Sequence, residues 1–361
     1  MNGESRPTTG TSGGEMLRGF WYPALLSARV RPGKMRQAML LGEPLVIGRD
    51  AQGCAFAMRD SCPHRGMPLS CGRVEGSLLE CSYHGWKFDL MNGQCREIPS
   101  WVPGDKLKVD RIYATHFPCE DQDGYIWVYM PGPETSDPPP PAPKLPVFSP
   151  QYRITHLSAD LPVNVDHGII GLMDPAHGPF VHQAWWWRSR RSIQQKEKTF
   201  LPIPNGFRIQ AHKPSANSAA YKLLGVYGQP VTTAIEFVLP NMRLEQIHCG
   251  GKWFSSRATV TPVSANQCRI DFCAAWNVFR YVPFMTSIFR LFARSFIGQD
   301  QRTMEKQALG LKHNPRLMLI DDADRPAKWY FQLKQAYLEA RRTGEPMKHP
   351  ISEPTVLRWR S

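Results

Sequence analysis

Cysteine and histidine residues between positions 62 and 86 have the types and spacing of a metal site. Cys62-x-His64 and Cys81-x-x-His84 each place one thiol near one imidazole. Two sulfur and two nitrogen ligands suit either a tetrahedral zinc ion or a two-iron cluster. Zinc sites usually pair like ligands, as in Cys-x-x-Cys, whereas both pairs here are mixed. Mixed pairs favour a cluster, because each loop can send one ligand to each iron.

These four positions resemble the Rieske [2Fe-2S] motif. The resemblance implies that Cys62 and Cys81 bind the inner iron, and that His64 and His84 bind the outer iron. Imidazoles in place of thiolates leave the cluster less negative, so it accepts an electron more readily than an all-thiolate ferredoxin does. Glycines and aromatic residues beside the ligands are expected to turn the backbone around sulfur and to shield the cluster.

A second group of potential ligands, Asp174, His177 and His182, lies far downstream. His-x-x-x-x-His is a weak signal by itself, because two histidines on one helix face prefer a spacing of four. Pro179 disfavours a continuous helix and lets the two rings converge from a break. Asp174 begins an Asp-Pro step that is typical of a helix N-cap. A helix cap and a functional carboxylate are compatible interpretations of Asp174, and both stay open.

Asp-x-x-His-x-x-x-x-His downstream of a Rieske motif resembles the catalytic domain of Rieske non-haem iron oxygenases. The resemblance implies that His177, His182 and a distant carboxylate form a facial triad for ferrous iron, with open positions for dioxygen. It also implies that Asp174 is the catalytic carboxylate that bridges the metals of two domains. The family usually carries Asn three or four residues before this Asp. Gly171 and Ile170 stand there instead, so that contact is expected to be absent.

The third ligand must come from a distant part of the chain. The segment 298–307 resembles the family helix that carries the distal Asp, and Asp300 matches the ligand. Gln299 stands where the family usually has Glu. Glu305 is the alternative ligand, and an ordinary solvated helical acid is the alternative role.

The secondary structure predicted around these ligands indicates an α+β protein. Residues 1–16 are rich in Gly, Ser and Thr and predict a disordered tail, followed by short β-segments over 17–130 that predict a small all-β domain. Prolines over 131–150 predict a stiff connection. By resemblance, 17–130 is the Rieske [2Fe-2S] domain and 151–361 is a helix-grip catalytic domain, an antiparallel sheet with helices.

Within 151–361, several segments are consistent with strands of one antiparallel sheet. They are 199–212, 219–227, 231–249, 252–262 and 267–279. Apolar residues at helical spacing predict helices at 282–297 and 329–341. A buried helix is favoured for 282–297, and a peripheral helix at a membrane surface is the alternative. The tryptophan block 185–187 is expected in the core or at a subunit interface, or else in the wall of a substrate pocket.

The composition limits the kinds of binding partner and the cellular compartment that are expected. The formal net charge is +13, but the longest basic run is 188–191, so an acidic redox partner is favoured over nucleic acid. Nine cysteines without the spacing of a disulfide framework favour a reducing, cytoplasmic setting. The N-terminus has no apolar core and predicts neither a signal peptide nor an anchor.

The resemblance covers nearly all of the chain after the tail and implies the terminal oxygenase component of a Rieske system. No Gly-rich dinucleotide-binding unit is recognisable, so electrons from NAD(P)H are expected through a separate ferredoxin or flavin reductase. The implied reaction is hydroxylation or oxidative demethylation of a hydrophobic aromatic or sterol-like molecule, by a homotrimer. A Rieske electron carrier and a structural zinc protein are the alternatives. The carrier would not need residues 151–361.

Overall fold

A computed structural model describes residues 14–102, 104, 106–132, 138–183, 190–214 and 227–361. The chain forms two compact units. The N-terminal unit consists of 17–145 with 261–264, and the C-terminal unit of 146–260 and 265–361 with residues 14–16. Most of the expected tail, part of the proline-rich connection and the whole tryptophan block lie outside the described residues. The domain boundaries at 130 and 151 stay predictions.

The described strands of the N-terminal unit form three antiparallel sheets, ordered β1-β11-β10, β2-β3-β4-β9 and β5-β6-β7-β8. These strands are β1 Phe20–Leu26, β2 Met35–Leu40, β3 Glu43–Arg49, β4 Ala55–Arg59, β5 Arg73–Glu75, β6 Leu78–Glu80, β7 Lys87–Asp89, β8 Cys95–Glu97, β9 His116–Phe117, β10 Cys119–Gln122 and β11 Tyr125–Met130. All residues of β11 are buried, as expected for an apolar central strand. The predicted all-β character is confirmed.

The C-terminal unit contains one eight-stranded sheet, ordered β12-β18-β17-β16-β15-β14-β13-β19. Its strands are β12 Arg153–Leu161, β13 Gln195–Ile203, β14 Gly206–His212, β15 Val231–Val238, β16 Met242–Cys249, β17 Lys252–Ser264, β18 Gln267–Trp276 and β19 Thr355–Arg360. The antiparallel sheet with helices is confirmed.

Two of the segments predicted to contain strands each form a hairpin of two strands. The segment 199–212 reverses at Asn205, which has a φ of 57° and precedes Gly206, and the segment 231–249 reverses between β15 and β16. Ile203 pairs with Gly206, so Pro204 and Asn205 are the two turn residues. Proline at the first central position and positive φ at the second, which Asn tolerates, are typical of a type II turn. Most of the strand expected at 219–227 lies outside the described residues.

Four helices accompany the sheet in the described residues: α1 Val165–Met173, α2 Gly178–Val181, α3 Met285–Leu311 and α4 Arg325–Thr343. The helix predicted at 282–297 is the first half of α3, which continues through Asp300. The buried interpretation of this half is wrong, because Ile297 is the single buried residue of α3 and Leu291 is 68% exposed. No helix in the described parts of the chain has the length and apolar character needed to cross a bilayer.

A buried ion pair joins α1 to α4. The Lys334 ammonium donates to both carboxylate oxygens of Asp166, at 2.7 and 3.0 Å, and the Tyr330 hydroxyl donates to the same carboxylate at 2.5 Å. Side chains of Lys334 and Asp166 are only 9% and 12% exposed. This pair therefore fixes the helix that leads into the second group of ligands.

We expect Lys334→Met to lower the free energy of unfolding by about 3–5 kcal/mol, because it leaves a buried carboxylate without its cation. Chemical denaturation followed by circular dichroism measures the change. The double variant Asp166→Asn/Lys334→Met removes both charges and should recover much of the loss. An equal loss in both variants would contradict the ion-pair explanation.

Candidate metal centres

The two ligand loops of the N-terminal unit share one backbone conformation. The amide of each cysteine donates to the carbonyl five residues further on, at 2.8 Å for Cys62 and 2.9 Å for Cys81. The amides of Gly66 and Gly85 donate back to the cysteine carbonyls at 2.8 and 3.0 Å. Both glycines have positive φ, 72° and 69°, a region that other residues adopt at a cost. Each cysteine therefore opens a tight turn that directs its side chain inward.

In this unit the cysteine side chains are more deeply buried than the histidine rings. Cys62 and Cys81 are buried at 3% and 2% exposure, whereas His64 and His84 are half-buried with ring centroids 4.6 Å apart. Burial raises the pKa of the Cys62 thiol to about 11, so a cation is needed to hold the thiolate at neutral pH. Desolvation and the neighbouring His84 lower the pKa of His64, which favours the neutral, ligating imidazole. The assignment of an inner and an outer iron remains a prediction.

Aromatic rings cover both imidazoles. Trp86 lies parallel to His64 at 4.5 Å, and Tyr83 lies 3.9 Å from the ring of His84 while remaining 54% exposed itself. The buried indole N–H of Trp86 has no hydrogen-bond acceptor within the described residues. An unsatisfied buried donor costs about 1–3 kcal/mol and is rare. This orphaned donor fits a cluster whose sulfur atoms accept hydrogen bonds.

We expect Trp86→Phe to lower the reduction potential of the cluster, because a donor that stabilises the more negative, reduced state is lost. A net hydrogen-bond contribution of 0.5–1.5 kcal/mol corresponds to about 20–65 mV for one electron. A spectroscopic redox titration measures the shift. Tyr83→Phe keeps ring stacking on the other imidazole and serves as the control. An unchanged potential in Trp86→Phe would mean that the indole serves only packing.

Three potential ligands of the C-terminal unit converge on one point. Ligand atoms of His177, His182 and Asp300 all lie within 4.8 Å of one another. The two imidazole Nε2 atoms are 3.0 Å apart, and Asp300 Oδ1 lies 3.2 Å from that of His182 and 3.8 Å from that of His177. His177 immediately precedes α2, His182 immediately follows it, and Asp300 lies within α3.

The hydrogen bonds at the outer ring nitrogens define the tautomers. His177 Nδ1 donates to the backbone carbonyl of Asp174 at 2.8 Å, and His182 Nδ1 donates to Gln299 Oε1 at 3.0 Å. Burial lowers the pKa of His177, which favours its neutral, ligating form. Both Nε2 atoms and one carboxylate oxygen thus face a common point, where they can act together as metal ligands. Two imidazoles and one carboxylate on one side of the metal are the donor set of non-haem ferrous iron.

Asp174 ends a helix instead of starting one. It follows the last residue of α1, so the N-cap interpretation is wrong. Its Oδ1 accepts from the Ala176 amide at 2.6 Å, while Oδ2 lies 3.7 Å from His177 Nδ1. The expected break in the helix is present, and it lies at 174–177. Pro179 lies in the first turn of α2, where the missing N–H of proline removes no helical hydrogen bond.

Gly171 lies where the family Asn was expected, and α3 comes close to it. A Cβ atom at Gly171 would be 2.3 Å from Met304 Cε. Met304 is one helical turn beyond Asp300 in α3. The methionine therefore occupies the space that a side chain at 171 would need.

The sequence interpretation missed two residues that contact His182. Phe296 stacks on its ring at 3.5 Å, and Gln299 accepts from its Nδ1. With Asp300, these residues lie at positions i, i+3 and i+4 of α3, and this helical spacing could have identified them. Glu305, the alternative ligand, is exposed and does not belong to the converging group.

Comparisons with known proteins agree with the Rieske interpretation of the N-terminal unit. Residues 20–114 match the Rieske [2Fe-2S] domain family. The chain is 31% identical over 314 residues to chlorophyllide a oxygenase, chloroplastic, from Chlamydomonas reinhardtii, covering 79% of this chain and 43% of that protein. It is 35% identical over 175 residues to the 3-chlorobenzoate-3,4-dioxygenase oxygenase subunit from Comamonas testosteroni, covering 48% and 39%. The chain thus spans less than half the length of these curated relatives.

The fold is also that of a solved structure. The crystal structure of dicamba monooxygenase bound to dicamba superposes with a TM-score of 0.71 over 90% of this chain and 99% of that chain. The sequence identity is 23%. At this identity the likeness concerns the fold alone.

Proposed function

Because the chain belongs to the Rieske-type terminal oxygenases, we propose that it is the oxygenase component of a multicomponent system. It uses dioxygen and electrons that originate from NAD(P)H to hydroxylate or oxidatively demethylate a hydrophobic small molecule. The observation that carries the proposal is the convergence of two imidazoles and one carboxylate on one point in a chain that also has a Rieske domain. An electron carrier would need only the ligands of the cluster. A structural zinc protein would need neither the mixed Cys/His pairs nor the group of two histidines and one carboxylate.

Each group of ligands has a distinct part in this proposal. Cys62, Cys81, His64 and His84 hold the cluster, and His177, His182 and Asp300 hold the iron on one side. When bound, a Rieske cluster supplies single electrons and ferrous iron with open positions activates dioxygen. The hydrogen bonds at both Nδ1 atoms keep the lone pairs of both Nε2 atoms directed at the metal position.

Asp174 connects the two centres in the proposed assembly. The family resemblance supports a homotrimer in which the cluster of one subunit serves the iron of the next, with Asp174 as the bridging carboxylate. The side chain of Asp174 is 31% exposed, and its Oδ2 is free of the turn that Oδ1 stabilises. Such a carboxylate can accept from the ring N–H of a cluster ligand such as His84.

A cationic cleft in the N-terminal unit fits an acidic electron donor. This cleft, of about 900 Å³, is lined by Arg29, Arg31, Lys34 and Arg36. Within the described residues none of the four pairs with a carboxylate. Met35, another lining residue, packs against the apolar core that contains Cys62 and Cys81. We therefore place the docking site of a separate ferredoxin or flavin reductase here.

We expect Arg31→Glu/Lys34→Glu to slow cluster reduction by an acidic plant-type [2Fe-2S] ferredoxin, because electrostatic steering raises association rates by about 10–1000-fold. Stopped-flow absorbance at low ionic strength measures the rate, and added salt should reduce the difference. Reduction by dithionite should be unchanged. Lys306→Glu reverses an exposed charge on α3 and is the matched control. Equal rates for the double variant and the wild type would place docking elsewhere.

The substrate class and the compartment are part of the proposal. Relatives named for chlorophyllide, chlorobenzoate and methylsterol support a hydrophobic aromatic, sterol-like or terpenoid-like substrate. The cysteines lack the spacing of a disulfide framework, which supports a reducing cytoplasm.

The decisive experiment combines the protein with a ferredoxin, a reductase and NADPH and screens methylated and unmethylated aromatic and sterol candidates. Oxygen uptake coupled to formaldehyde or a hydroxylated product is expected. Labelled dioxygen then distinguishes incorporation of one oxygen atom from incorporation of two. A protein that shows the Rieske electron resonance signal but binds no iron at the second centre would instead be an electron carrier.

A further inference from the structure

Side chains of helix α3 contact the ring of His182 on its face and at both of its nitrogens. Phe296 stacks on its face at 3.5 Å with an interplanar angle of 13°. Gln299 contacts Nδ1 at 3.0 Å, and Asp300 Oδ1 lies 3.2 Å from Nε2. His182 itself is only 2% exposed. The ring thus has a partner from one helix on its face and at both nitrogens.

The other histidine is held differently. His177 Nδ1 donates to the backbone carbonyl of Asp174, within its own loop. No side chain is required for that bond, so substitution cannot remove it directly. His182 depends instead on one side chain that is far away in sequence, and this asymmetry makes its orientation sensitive to a single substitution.

We propose that Gln299 is a positioning residue of the iron centre, and the inference rests on the proposed function. Its amide oxygen fixes the Nδ1–H tautomer of His182 and aims Nε2 at Asp300. Because Gln299 and Asp300 are consecutive in α3, one rigid helix both supplies the carboxylate and orients a histidine. A neutral amide does this without adding a second negative charge beside the metal, unlike the Glu usual in the family.

Gln299→Met tests the proposal, because methionine has a similar shape and no amide oxygen. We expect Co(II) affinity at the iron site of the cluster-containing, iron-free protein to fall about 10–100-fold, the usual effect of losing a partner of a ligating histidine. Gln299→Glu restores an acceptor and should keep the affinity at or above that of wild type, because a carboxylate partner raises the basicity of the ligating imidazole. Gln299→Asn retains an amide on a shorter side chain and should resemble Gln299→Met.

Proton NMR of the Co(II) protein adds a readout that a packing role would not change. Wild type should show a slowly exchanging, shifted ring N–H for each of the two ligating histidines. Gln299→Met should lose one of them to fast exchange, and Gln299→Glu should keep both. Visible cluster bands report folding in every variant, and Glu305→Gln, on an exposed position of α3, is the matched control.

The outcomes separate this inference from the proposed function. Unchanged Co(II) affinity and two retained N–H signals in Gln299→Met and Gln299→Asn would overturn the positioning role alone. Wild-type protein that binds no Co(II) at a site abolished by Asp300→Asn would overturn the iron centre itself, and the positioning role with it.

Discussion

Asp300→Ala is expected to abolish iron binding at the second centre and all substrate turnover, while the cluster spectrum stays unchanged. Asp300 is the only anion among the three converging residues, and its Oδ1 lies 3.2 and 3.8 Å from the two imidazole Nε2 atoms. Without it, only two imidazole ligands remain, and they supply no negative charge to compensate that of a divalent ion. The loss of iron affinity should exceed the roughly 10–100-fold typical of a lost partner of a ligand.

Metal analysis and visible absorbance of the same sample check this result. His177→Ala should behave in the same way, losing iron and keeping cluster bands. His64→Ala or Cys81→Ser should show the reverse, losing the cluster bands, because one missing ligand exposes the two-iron unit. Glu305→Ala, at an exposed position of α3, should retain both metals. Full iron content and turnover in Asp300→Ala would exclude this carboxylate as the ligand.

Asp174→Asn is expected to slow electron transfer between the two centres by orders of magnitude while cluster colour and iron content stay near normal. The turn at 174–177 should survive, because an Asn Oδ1 can still accept from the Ala176 amide. His177 should keep its orientation, since its Nδ1 donates to the peptide carbonyl of residue 174 and not to the carboxylate. The variant therefore removes the negative charge alone.

Single-turnover kinetics on pre-reduced protein measure this transfer step directly. Asp174→Ala removes the turn acceptor as well, so it should show both slow transfer and lower thermal stability. This pair of variants separates the charge from the turn. A wild-type transfer rate in Asp174→Asn would leave Asp174 as a turn residue between α1 and α2.

The ligand sets were predictable because metal chemistry restricts residue types and short spacings. Cys62 to Gly66 and Cys81 to Gly85 contain their own turn signals, which require no knowledge of the rest of the fold. The role of Asp300 could be predicted only from the family resemblance. In the sequence alone, one acidic residue on a predicted helix cannot be distinguished from a solvated surface acid, and only the fold places it beside His182.

The features that sequence reasoning missed have two causes. Some depend on tertiary packing, and others depend on local turns that interrupt a longer apolar pattern. Apolar spacing in the first half of α3 indicates a helix but does not specify whether a partner covers it, and Leu291 remains exposed. The turn at Pro204 and Asn205, which the apolar pattern does not locate, divides the segment 199–212 into the two strands β13 and β14. Asp174 caps the end of α1, because Pro175 disfavours helical conformation in the residue before it.

The close packing of Gly171 against Met304 restricts how this sequence can change. An Asn introduced at 171 would place its Cβ 2.3 Å from Met304 Cε, so the flexible end of the methionine side chain would have to turn aside. Because the clash is with this flexible end and not with backbone, α3 and its Asp300 can stay in place. A smaller residue at 304 would give the same room, but it would leave a cavity while residue 171 is glycine. Substitutions at 171 and 304 are therefore expected to be non-additive, because the two residues share one space.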